Sequence, residues 1–501
     1  MKKIGVPRNV LFGAMTWVVP LCLIFVTTPI VVRGLGHEEY GVYALVQGFL
    51  AYTFTFNVGR ALIKYISSYH ATGEEAKVGD AISATLLVNL ALGLLCAGAL
   101  ALAALLLVPT VLKIPVEQQR HTLVAFFLVS ATLFPIMLGY VFSAVPQALQ
   151  RFDVYALITL GGSVFNSASN VILVLLGYGV ISMLVTNLIG VTITTVAFAI
   201  YVRRLLPGVR LRLKVPRELM VGIVRFTASV AVYQVAGNLL VLFERSWITR
   251  TIGTSALTYY VVPMTIGIFI HAFITSLTLM IFPLTSEASA LRDVTRLTQI
   301  YARAVKYICI IVLFICVTIS VCARPLLAAW IGPDFADNSA AILVMHTVFF
   351  SVLAVSTIHW QIAEGLGRPS LNAALGLIWL IIAIPLMIGL TPGWGIKGVA
   401  IGRLATVLTL PVHWLIAERW ALGRNLWGFW GRLVGTLALA GIACGGIQYF
   451  LVHQGWSGWK VLAAAVAAGG VAYLACLYFT RFISDDEQNW LRSFFMRAVT
   501  P

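Results

Sequence analysis

Charge is scarce in this chain, and negative charge scarcest. Among 501 residues there are 34 Lys or Arg but only 18 Asp or Glu, and charged residues make up 10%. Soluble domains carry about 25%, so a water-exposed globular enzyme is excluded. Cysteine is sparse too. Cys22, Cys96, Cys309, Cys316, Cys322, Cys444 and Cys476 lie in or beside apolar runs and form no C-x-x-C pair, which gives neither a disulfide framework nor a zinc ribbon. The motifs H-E-x-x-H, G-x-S-x-G and Walker A are missing, as are clustered metal ligands. The sequence therefore gives no reason to expect a cofactor or a metal. Without a nucleotide motif, any transport work would draw on a gradient or on metabolic flux.

What the chain has instead is apolar length. Hydrophobic residues make up 60% of it, in runs of about 20 that each match a bilayer core of roughly 30 Å. Helices satisfy their own backbone groups in lipid, so the expectation is an all-α polytopic membrane protein with about fourteen transmembrane helices. The basic N-terminus (Lys2, Lys3, Arg8) resembles a signal peptide, but the apolar run after it is too long and lacks a cleavage site. It reads as the first, retained helix. The net charge of +16 does not point to nucleic acid, because the Lys and Arg sit in short connections between apolar runs. Of the 34, 24 lie on the side of the two termini, which predicts that both termini are cytoplasmic.

The opening pair of crossings organises the rest. The first runs from about Val10 to Val32, the turn is Arg33 to Gly41, and the second ends around Asn57–Ser68. At an offset of 217 residues Arg8, Leu23, Arg33, Gly36 and Tyr43 become Arg225, Leu240, Arg250, Gly253 and Tyr260. A repeat at that distance encloses six crossings and so returns with parallel topology. The expected domains are a six-helix lobe at 1–203, a basic cytoplasmic linker at 204–218, and a second six-helix lobe at 219–420. Two additional helices at 421–480 and a cytoplasmic amphipathic tail at 481–501 follow. Ser484 and Glu487 have capping-box spacing in that tail.

Candidate site residues lie inside the crossings. Asn57, Arg60 and Lys64 share one helix face, and Arg225, Ser229, Tyr233 and Gly237 form a similar stripe. Two readings stand: long cations snorkel to headgroups, or they line a cavity that receives a phosphate or pyrophosphate. The fifth crossing carries Ser163, Asn166, Ser167 and Asn170 along one face. These residues serve interhelical hydrogen bonding or a polar wall for sugar hydroxyls, with Gln234 and Asn238 opposite. Asn57 and Tyr233 join that polar group. Glu244 and Arg245 form a charge pair at the far, periplasmic end of the seventh crossing. Arg403, about five residues inside the twelfth, is expected to snorkel outward, and the lone His271 to be satisfied by a neighbour. No Asp or Glu falls mid-helix in the first crossing, which favours an anionic over a cationic cargo.

Several segments in order resemble the polysaccharide (lipid-linked oligosaccharide) flippases of the Wzx type, within the multidrug/oligosaccharidyl-lipid/polysaccharide exporter superfamily. They are Val32-Arg-Gly-Leu-Gly-His-Glu-Glu-Tyr-Gly-Val-Tyr43, Asn57-Val-Gly-Arg-Ala-Leu-Ile-Lys-Tyr-Ile66, Phe243-Glu-Arg with Ile252–Tyr260, Ile281–Ser286, Trp330–Phe335, Glu364–Ser370 and Gly395–Ala400. Asn57 and Glu244 depart from the Asp usual at both places. The resemblance implies two six-helix bundles around a cavity, plus two C-terminal helices. It implies transfer of an undecaprenyl-pyrophosphate-linked sugar unit across a bacterial inner membrane by alternating access, with Arg60, Lys64 and Arg225 on the pyrophosphate. Membrane lipids, a polysaccharide polymerase and a chain-length regulator are the partners it suggests. A multidrug/cation antiporter of the same fold and a membrane enzyme of polysaccharide polymerisation or ligation are the alternatives. The lack of any connection much longer than about twenty residues counts against the enzyme.

Overall fold

The computed structural model describes residues 6–53, 59, 62–63, 65–66, 69, 74–207, 211–212, 215–278, 294–365, 370–454 and 458–482, without the side chains of 6–14, 17, 53, 75–76, 226–237, 364–365 and 370. The amphipathic tail expected beyond 482 lies outside the described residues, as do Asn57, Arg60 and Lys64. Among the described residues, all elements are helical. In chain order they are α1 (Val6–Thr53), α2 (Glu75–Leu106), α3 (Val116–Ala148), α4 (Phe152–Leu175), α5 (Val180–Leu205), α6 (Arg217–Thr251), α7 (Thr254–Thr278) and α8 (Val294–Val321). Then follow α9 (Ala323–Trp330), α10 (Pro333–Gly365), α11 (Ser370–Trp394), α12 (Ile396–Ala405), α13 (Leu410–Leu422), α14 (Trp427–Val452) and α15 (Trp459–Phe479).

Among the described residues, twelve helices are long and apolar enough to cross a membrane. The first of them, Val18–Tyr52, contains a backbone break at Gly36 with φ 78° and ψ 166°. Val31 and Leu35 before the break and Tyr40 and Tyr43 after it pack against the same Val174 and Met183. Both arms meet one end of the bundle, so the chain turns back at Gly36 and this segment supplies two crossings. The 35-residue α6 is not among the twelve, which count described side chains only, but its stretch from Phe226 to Phe243 carries no Asp, Glu, Lys or Arg and is long enough to cross. With α1 split and α6 added, the twelve become the fourteen crossings expected from the sequence.

Glycine at position 36 has a physical reason. A φ near +80° is strained for any residue with a Cβ. Gly253, its counterpart in the repeat, has φ 119° and separates α6 from α7. The same backbone requirement therefore recurs at both turns.

The chain divides into two compact units, residues 1–261 and 262–501. In the first, Val78, Ala81 and Ile82 of α2 pack with Val141, Ala144 and Val145 of α3 and Val202 of α5. The linker is tied to this unit: Arg212 donates its backbone N–H to Ser83 Oγ at 3.0 Å, and its guanidinium lies 3.9 Å from Asp80. In the second unit one core joins Tyr301, Val305, Ile308 and Val312 of α8 to α10, α14 and α15. The additional helices approach α8 through small residues: a Cβ on Gly445 would lie 3.1 Å from Val317. Such small-residue contacts let membrane helices come close enough for dispersion to hold them. Tyr473 of α15 donates its hydroxyl to Ile310 O at 2.9 Å.

Candidate functional site

The interior of the first unit holds a buried cation. Arg245 is 7% exposed and its neighbour Glu244 is fully buried. Six residues separate Arg245 from the end of α6, about 9 Å at the helical rise. The pair is therefore buried near the C-terminal end of α6. Arg245 Nη1 donates to the carbonyl oxygen of Ala44, in the second arm of α1. That carbonyl is reachable because residue 48, one turn on, is glycine. A side chain at i+4 stacks on the same helix face as residue i. A Cβ on Gly48 would come 2.5–2.8 Å from Arg245 Cδ, Nη1 and Nε. The guanidinium also lies 5.5 Å from the Tyr52 ring centroid, a cation–π distance.

Tyrosines continue this polar lining. Tyr40 lies within electrostatic reach of Arg245, and its ring centroid is 5.9 Å from that of Tyr43. Gln47 Nε2 donates to Tyr43 Oη at 3.3 Å, and Tyr43 also meets Asn170 of α4. Arg245, Tyr40, Tyr43, Gln47, Tyr52 and Asn170 thus form one polar track along the second arm of α1. Its outer end is closed by short contacts. Glu39 Oε2 accepts the Val180 N–H at 3.2 Å at the start of α5, where a carboxylate complements the helix dipole. Thr258 Oγ1 donates to His37 O at 2.5 Å.

The residues expected from the sequence fall in several places. Asn170 joins this track. Ser163, Asn166 and Ser167 are half-buried on α4. Ser163 donates its hydroxyl to Thr159 O at 3.0 Å within α4. Asn166 Oδ1 is buried without a hydrogen-bond partner and lies against Gly190 of α5, where a Cβ would collide with it. Arg225 is exposed near the start of α6, and Asn238 is half-buried further along it. Tyr233 and Gln234 are on α6, but their side chains lie outside the described residues, as do Arg60, Lys64 and Asn57. The structure thus brings Asn170 and Arg245 onto one track and leaves Arg225 apart from them. It adds Tyr40 and Tyr43, which the sequence offered only as part of the turn segment Val32–Tyr43, and Gln47 and Tyr52, whose only sequence signal is helical spacing with Gly48.

Two expectations in the second unit meet different outcomes. Arg403 was expected to snorkel, but it is 4% exposed, with its guanidinium 5.0 Å and 5.8 Å from the ring centroids of Phe349 and Phe350 on α10. Aromatic faces replace headgroups as its partners. His271 does have a neighbour: its Nε2 lies 3.5 Å from Thr357 Oγ1.

Known structures share the fold of this membrane bundle. The lipid II flippase MurJ in an inward closed conformation matches with a TM-score of 0.72 at 13% identity, over 94% of this chain and 99% of that one. An inward-facing MATE-family multidrug resistance transporter of the MOP superfamily matches with a TM-score of 0.71 at 18% identity, over 82% of this chain and 98% of that one. A candidate O-antigen transporter of Shigella flexneri is 22% identical over 432 residues, 83% of this chain and 99% of that protein. The family described as polysaccharide biosynthesis protein matches residues 30–340. The chain belongs to that family. It is a multi-pass membrane protein of that family, with the fold of the exporters and flippases above.

Proposed function

We propose that this protein moves an undecaprenyl-pyrophosphate-linked oligosaccharide unit across the bacterial inner membrane by alternating access, with both termini in the cytoplasm. The observation that carries this reading is the interior cation of the first unit, Arg245, set among tyrosines and asparagine in a member of a polysaccharide biosynthesis family. A fixed positive charge away from water favours an anionic headgroup, and hydroxyl and amide groups match a glycan. Arg60, Lys64 and Arg225 are assigned to the pyrophosphate. Asn57, Ser163, Asn166, Ser167, Asn170, Tyr233, Gln234 and Asn238 are assigned to the sugar. A polymerase and a chain-length regulator would then act on the delivered unit.

The test is made in a strain lacking the gene. Its lipids are extracted, the carrier-linked sugar is quantified by mass spectrometry, and drug sensitivity is recorded beside it. A complete sugar unit accumulating on the carrier, with surface polysaccharide lost, supports the reading. Complementation with the Arg60→Gln, Arg225→Gln double variant, present in the membrane, should fail. Normal export by that variant would remove both arginines from the site. A second reading, a drug/cation antiporter, rests on the fully buried carboxylate of Glu244, since such carriers need a buried acid. Unchanged lipid intermediates with raised sensitivity to cationic drugs would select it.

A further inference from the structure

The second unit contains a buried cluster of a different kind. Tyr301 of α8, His359 of α10 and Glu418 of α13 are each 1% exposed or less. Tyr301 Oη and His359 Nε2 are 3.0 Å apart, and His359 Nδ1 lies 3.3 Å from Val355 O. Tyr301 also interacts with the Glu418 carboxyl and with Trp430. Glu418 accepts the Leu426 N–H at 3.0 Å on Oε2 and the Trp430 indole N–H at 3.3 Å on Oε1. No Lys or Arg pairs with Glu418 among the described residues. The His359 ring stacks on Trp414, with centroids 5.2 Å apart at 13°, and on Trp430 at 6.4 Å and 20°.

We propose that Tyr301, His359 and Glu418 form a site in the C-terminal unit that takes up and releases one proton. The chemistry balances within the three side chains. In the loaded state the Glu418 carboxylic acid donates to Tyr301 Oη, Tyr301 donates to His359 Nε2, and His359 Nδ1–H donates to Val355 O. Every polar atom has a partner and the net charge is zero. The same proton moves by two short transfers to give a Glu418 carboxylate, an intact Tyr301 hydroxyl now donating to it, and a His359 imidazolium. The two indole faces stabilise that cation, and the two N–H donors stabilise the anion. Release of the proton leaves Glu418 ionised and His359 neutral.

The groups facing the triad are few. Cys309 on α8 is near Tyr301, and His413 on α13 is near His359. His413 Nε2 lies 3.2 Å from Asn372 Oδ1, and Asn372 Nδ2 donates to Trp360 O at 3.4 Å. With the amide oriented by that bond, His413 Nε2 donates to Asn372 Oδ1. Glu418 also ties α13 to the chain entering α14. Hydrogen bonds to a carboxylate are roughly twice as strong as neutral ones, so proton uptake on Glu418 loosens that clasp. Beyond Arg403, α12 leads into α13 through a 3-10 segment, Thr406–Thr409, the kind of interruption at which helices hinge. The proton therefore acts on the end of the helix that follows this interruption. The inference concerns proton binding and does not depend on the cargo.

The test is a pH titration of tryptophan emission on the purified full-length protein in detergent, without cargo. Wild type should show one reversible transition within the pH range over which the protein stays folded, because an imidazolium stacked on indole quenches it. His359→Gln and Glu418→Gln should each abolish the transition, and His413→Gln should keep it. Tyr301→Phe keeps the ring packing and removes only the bridge. It should move the midpoint by about one pH unit or more, a tenfold change in proton affinity, and it reports even if the other variants fail to reach the membrane. No transition in wild type, an unchanged one in Tyr301→Phe, or its loss in His413→Gln alone would each overturn the site.

Discussion

Arg245 in the first unit and Glu418 in the second are both charged side chains removed from water, and the two units satisfy them by opposite means. Arg245 cannot lose its proton, so the fold supplies a bare helix carbonyl at Ala44, uncovered by Gly48, and the face of Tyr52. The result is a permanent charge. Glu418 has two N–H donors and the Tyr301–His359 pair beside it, so its charge can be cancelled by a proton. A transporter of an anionic lipid needs the first kind of group where cargo binds. The second kind suits a place where the protein changes state. The contrast shows that burying an ionisable group is a choice between holding charge and exchanging it.

The comparison can be broken at either end, and the largest effect is expected at Gly48. Gly48→Val pushes the Arg245 guanidinium off Ala44. Overpacking of that kind costs about 1–3 kcal/mol and should also lower surface polysaccharide in complemented cells. Stability loss with full export would separate Arg245 from the cargo. Next comes Glu418→Ala, which leaves the half-buried Leu426 and Trp430 N–H groups without this acceptor, at up to about 1 kcal/mol for each donor. Glu418→Gln keeps one carbonyl acceptor and should lose about half as much. Thermal unfolding midpoints of the detergent-solubilised variants check this, and equal losses would show that the donors find other partners.

Smaller effects sharpen the picture. Gly36→Ala and Gly253→Ala each force a Cβ into positive φ, at about 1–2 kcal/mol. Comparable losses at both positions would show that the two turns are equivalent parts of a repeat, and a loss at only one would argue against it. The least effect is expected from Ser163→Ala, whose hydroxyl donates within its own helix. A change below about 0.5 kcal/mol in stability is the expectation, and any loss of export would then report contact with the glycan.

Much of the architecture was legible in the chain. Apolar run length placed the crossings, because lipid thickness and helical rise leave little freedom. The turn glycines were visible because φ is a local property. The interior was less legible. Arg403 read as a snorkelling residue from its distance to a helix end, yet Phe349 and Phe350, more than fifty positions earlier, hold it inside. Glu418 lies two residues from the end expected for the second lobe at 420, whereas α13 continues to Leu422 and buries it. In both cases hydropathy saw a charge near an end and had no means to see the partners.

The sequence by itself determined the class of protein, the number of crossings, the places where the chain must turn and the side on which cations collect. Those follow from burial length, backbone sterics and membrane charge asymmetry, all local along the chain. Only the tertiary structure decided which polar groups meet. Tyr301 and His359 lie 58 residues apart and Arg245 and Ala44 lie 201 apart. Such pairs are set by helix packing, where a glycine at the right turn or an indole at the right height decides whether a charge is held, shared or excluded.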